Sequence, residues 1–73
     1  MAQEEKESSD LALADRHIVE ARARIALQQA RVDALIASGS GSDQATDLLK
    51  TMEQTLDQFL AHRATIVEKL ERP

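Results

Sequence analysis

From Leu11 onward, apolar side chains return every three or four residues along almost the whole chain. In the first half, Leu11, Ile18, Ile25 and Val32 lie seven apart, with Ala14, Ala21, Gln28 and Leu35 between them. In the second half, the same spacing runs through Leu49, Met52, Leu56, Phe59, Arg63, Ile66 and Leu70. A seven-residue repeat puts one stripe along one side of an α-helix, and it does not fit the strict alternation of a half-buried strand. Two such stripes predict two long helices in an all-α chain. Composition agrees, because Phe59 is the only aromatic residue and the 73 residues include just two Gly and one Pro. Sandwiches and barrels need β-branched and aromatic residues punctuated by turns, which this chain lacks. It also has no Cys, which excludes disulfide scaffolds and thiol chemistry.

The punctuation divides the chain simply. Residues 1–10 are polar, carry three acidic residues among positions 4–7, and are expected to form a flexible polar N-terminal arm. Ser8, Ser9 or Asp10 can cap the helix that follows, since each offers a side-chain oxygen to free backbone N–H groups. The rest, residues 11–73, reads as a single helical-hairpin domain: helix 10–38, turn 39–42, helix 43–71. Gly39 stands where a left-handed C-terminal cap is expected. Ser42 or Asp43 can cap the second helix, and Asp43 and Asp47 suit its positive end.

A loop this short forces the helices antiparallel. Folding about Ser40 pairs residues whose numbers add to about 80, so that Gln28 meets Met52, Ala21 meets Phe59 and Leu11 meets Leu70. Leu48, Leu60 and Val67 broaden the second stripe beyond a single seam, and Leu13 and Leu27 lie off the first. One two-helix seam does not bury enough apolar surface to offset the conformational entropy of so many helical residues. The expected solution is a homodimer of coiled-coil-like hairpins forming a four-helix bundle, or a similar association with another helical protein.

Charge and motifs narrow the function. The formal net charge is −4 and the sequence pI is about 5.0, which argues against general nucleic-acid or anionic-membrane binding. Arg16, Arg22, Arg24 and Arg31 give the first helix a basic face, but Glu20 and Asp33 interrupt it and stacking aromatic residues are absent. These arginines are expected to pair with Asp47, Glu53 and Asp57. No apolar run approaches a membrane span, and the acidic N-terminus is unlike a secretory signal. A cytoplasmic protein is expected. No phosphate loop, nucleophile elbow or His-Glu-x-x-His motif is present, so neither an enzyme nor a bound cofactor is expected.

Five polar residues stand out. His17 and His62 fall at one level of the hairpin, with Glu20 a turn from His17. Together they form the only metal or proton site the spacing suggests. One carboxylate is meagre for a metal, and Arg63 beside His62 repels a cation, so a flanking polar layer is the simpler reading. Gln28 and Arg63 occupy seam positions, where polar residues specify register. Arg63 is expected to pair with Glu20 or Asp15.

The segments His17-Ile18-Val19-Glu20, Gln28-Gln29, Leu48-Leu49, Met52-Glu53 and His62-Arg63 also carry a resemblance. Over residues 11–70 the chain resembles a group of short, uncharacterised alphaproteobacterial helical-hairpin proteins. Turns in that group carry one Gly with polar neighbours, whereas this chain has Gly-Ser-Gly-Ser. The resemblance implies a hairpin architecture and a bacterial source, and no activity. The reading is therefore a small structural or protein-interaction module. The alternatives are an RNA-binding dimeric four-helix bundle and an accessory subunit of a larger complex.

Overall fold

The computed structural model describes the backbone of residues 2–72 and the side chains of residues 5–72. It contains two helices, α1 (Ala2–Ala37) and α2 (Asp43–Glu71), packed against each other as a hairpin. The molecule is a rod with Cα extents of 57 × 14 × 13 Å, its length set by the 36 residues of α1.

The first helix is longer than the repeat predicts. Residues 2–10, expected as a separate arm, continue α1, and Ser8, Ser9 and Asp10 lie inside it rather than at a cap. The reason is local: Ala, Gln, Glu and Lys are strong helix formers, and no Gly or Pro interrupts the segment. At the other end, Gly39 adopts φ +73°. Its N–H donates to the Ile36 carbonyl (3.1 Å) and that of Ser40 donates to the Leu35 carbonyl (3.0 Å). Those two bonds form a Schellman motif, which satisfies carbonyls that the helix end would otherwise leave free.

Ser42 takes the N-cap position of α2, and its carbonyl accepts the Thr46 N–H at 2.8 Å. Its hydroxyl makes no capping bond, because ψ is 3° rather than in the extended region from which a serine side chain caps. Asp43 lies in the first turn and Lys69 in the last, each complementing the helix dipole.

The two seven-residue stripes form the seam. Ala14, Ile18, Ala21, Val32, Leu49 and Ile66 are buried, together with the polar Gln28. Leu11, Ile25, Leu35, Met52, Leu56, Phe59, Val67 and Leu70 are only half-buried, and Leu60 is exposed. Leu60 follows Phe59, one position past the seam, so α1 does not cover it.

The register differs from a fold about Ser40. Three contacts across the seam (Gln28 with Ala45, His17 with Phe59, Arg63 with Asp15) join residues whose numbers add to 73, 76 and 78. The offset comes from the turn. After the Gly39 cap, the chain runs back beside α1 before α2 begins, and Gly41 comes to line the same groove as Leu35. Ile36 is left exposed beyond the start of α2.

Candidate functional site

Both polar seam residues bridge the helices. The Gln28 amide donates to the Ala45 carbonyl at 2.8 Å. The Arg63 Nε donates to Asp15 Oδ1, which selects Asp15 over Glu20 as its partner. Glu20 is held on its own helix by Arg16 at 3.2 Å and Arg24 at 3.9 Å. The expected pairing of the α1 arginines with Asp47, Glu53 and Asp57 does not form among the described residues. Arg22 and Arg31 make no ion pair there. Asp47 and Asp57 sit on the outer side of α2, away from α1, which accounts for their part of the difference.

The proposed polar level resolves differently for its members. The His17 ring packs on Phe59 with centroids 5.5 Å apart and planes tilted by 35°. His17 and His62 are both exposed. His17, Glu20 and His62 do not converge, and among the described residues no three His, Asp or Glu side chains are placed to hold a metal ion. Spacing alone does not announce the ring contact, because a fold about Ser40 pairs Phe59 with Ala21. In the structure, Ala21 and Phe59 do share a groove, and His17 closes over the ring.

The exposed apolar residues form the other feature. Leu48 and Leu60, read from the sequence as one widened stripe with Val67, do not share an edge of α2. Twelve residues turn the helix by about 120° beyond whole turns, so they flank the seam on opposite sides. Val19 and Ile36 are exposed on the Leu60 side, and Leu13 and Leu27 on the Leu48 side, where two grooves lie. There a groove of about 400 Å³ near the turn is lined by Gln28, Arg31, Leu35, Ala45 and Leu48. A smaller one, about 130 Å³, is lined by Ala21, Arg24, Thr51, Met52, Thr55 and Phe59. Leu13 and Leu27 add exposed apolar surface, Leu27 being 74% exposed.

No protein family, curated protein or solved structure matches the chain. Among the described residues, no helix is long and apolar enough to cross a membrane.

Proposed function

We propose that this hairpin is a small structural and protein-interaction module that works by helix–helix association, and that it associates first with a second copy of itself in a four-helix bundle. One observation carries the reading: the seam is thin. No large side chain of the described residues is fully buried, and Met52, Leu56 and Phe59 on the seam of α2 are each only half covered. A stripe this wide, packed on a single neighbour, leaves apolar surface whose burial stabilises further association. His17, Arg16, Arg24 and Arg63 already have partners within the hairpin, which supports structural work for them.

Sedimentation equilibrium tests the proposal. The expected mass is near twice 8.1 kDa at micromolar concentration. A fully helical monomer across that range would remove the self-association reading.

A further inference from the structure

We infer that the two copies dock antiparallel through the side of the hairpin that carries Leu13, Leu27 and Leu48, about a two-fold axis crossing α1 near Glu20 and Ala21. This rests on the self-association proposed above and adds the face and the geometry. Arg24 and Arg31 line the grooves together with Leu48, Thr51 and Thr55, so this side of α1 and this side of α2 form one surface. Asp10 and His17 share the strip with Arg24 and Arg31, at seven-residue intervals, and Leu13 and Leu27 lie a turn away from them on the same strip.

The order of residues on that strip is self-complementary. The pairs Asp10/Arg31, Leu13/Leu27 and His17/Arg24 share one midpoint, at residue 20 to 21. A two-fold axis there sets Asp10 of each copy against Arg31 of the other and each Leu13 against the other Leu27, as an isologous contact requires. Neither Asp10 nor Arg31 has an ion partner among the described residues of its own chain. Glu20 meets its own mate at the axis, but Arg16 and Arg24 already hold each carboxylate.

The matching side of α2 is prepared for burial. From Leu48 to Thr65 it displays no formal charge, while Asp47, Lys50, Glu53 and Asp57 lie on other sides of the helix. Charge depletion of this kind marks the centre of interfaces. The hydroxyls of Thr51, Thr55 and Thr65 donate to the carbonyls of Asp47, Thr51 and Ala61 at 3.1–3.2 Å. Covering these threonines therefore strands no donor. The midpoint of the strip almost coincides with the midpoint of α1, so two copies overlap along nearly their whole length. A face 57 Å long and 14 Å wide offers roughly 800 Å² per copy, the usual size for a specific interface.

Four variants test the arrangement by sedimentation, each checked for helicity by circular dichroism. Leu27→Glu should convert the dimer to monomer, and Leu60→Glu, on the opposite side, should leave it intact. Asp10→Arg and Arg31→Asp should each weaken self-association by about tenfold or more, because like charges then face across both symmetric contacts. Mixing those two variants should restore a dimer, since every Arg then meets an Asp. If the mixture associates no better than either variant alone, the antiparallel pairing is wrong. A dimer that survives Leu27→Glu but not Leu60→Glu overturns the chosen face while leaving self-association standing. A monomeric parent protein overturns both.

Discussion

Gln28 shows how one residue can trade stability for definition. Its amide donates to the Ala45 carbonyl, yet that carbonyl already lies within the helical hydrogen-bond ladder. Replacing it by Leu removes a neutral hydrogen bond and adds apolar burial at a seam position. Gln28→Leu should therefore raise stability by about 1 kcal/mol in urea unfolding, with the contact that marks the 28-to-45 register lost. A loss of similar size would mean the bond itself sustains the seam. Phe59 makes the opposite case. A fully buried phenylalanine costs about 3–5 kcal/mol on truncation to Ala, but here the ring is half-covered, by the Ala21 groove and the His17 imidazole. In dilute protein Phe59→Ala should cost about 2 kcal/mol, rising into the full range where a second copy covers the ring. A loss indistinguishable from that of an exposed alanine substitution would take Phe59 out of the seam.

The elements separate the two glycines that the sequence presents as one flexible stretch. Gly39 alone has positive φ, and its N–H is one of the two Schellman donors. A Cβ there meets no atom within 4 Å, so the penalty for Gly39→Ala is purely conformational, about 1–2 kcal/mol. Gly41 is equally open and has ordinary φ, so Gly41→Ala should be neutral or stabilise slightly by restricting the unfolded chain. Thermal unfolding of both variants checks this, and equal shifts would place the cap elsewhere. The cap at Gly39 was legible because a periodic stripe ending before a Gly has one main backbone solution. Both helices, their antiparallel order and the buried Ile18, Ala21, Val32, Leu49 and Ile66 were legible for the same reason, since seven-residue spacing fixes a face. The extension of α1 to Ala2 was not, because a polar helix has no apolar stripe to announce it. The register was not either: Leu35 and Gly41 sharing a groove depends on the path of the turn, which no periodicity encodes.

At the scale of the whole molecule, a rod 57 Å long and 13–14 Å across is nearly all surface. Every seam side chain has one neighbouring helix rather than three, which is why Leu11, Ile25 and Leu56 stay half-covered although their spacing is regular. The charge pattern follows the same logic, for Arg16 and Arg24 pair with Glu20 along their own helix instead of reaching across. The candidate interface was only partly legible in the sequence. Leu13 and Leu27 lie off the seam in the sequence alone, but grouping Leu48 with Leu60 in one stripe conceals that the Leu48 side of α2 is free of formal charge from Leu48 to Thr65. Folding and association should then be one process. For a folded dimer unfolding to separate chains, a tenfold rise in protein concentration adds about 1.4 kcal/mol to the folded state by mass action. With an unfolding entropy near 2.1 cal/mol/K per residue over two chains, that raises the melting temperature by roughly 5 °C. Asp10→Arg should shift the curve to lower temperature while keeping its slope against concentration, until the dimer no longer forms and the slope vanishes. A parent melting temperature that does not move across two decades of concentration would show that the single hairpin carries its own stability, and that the Leu48 side is not covered by a second copy.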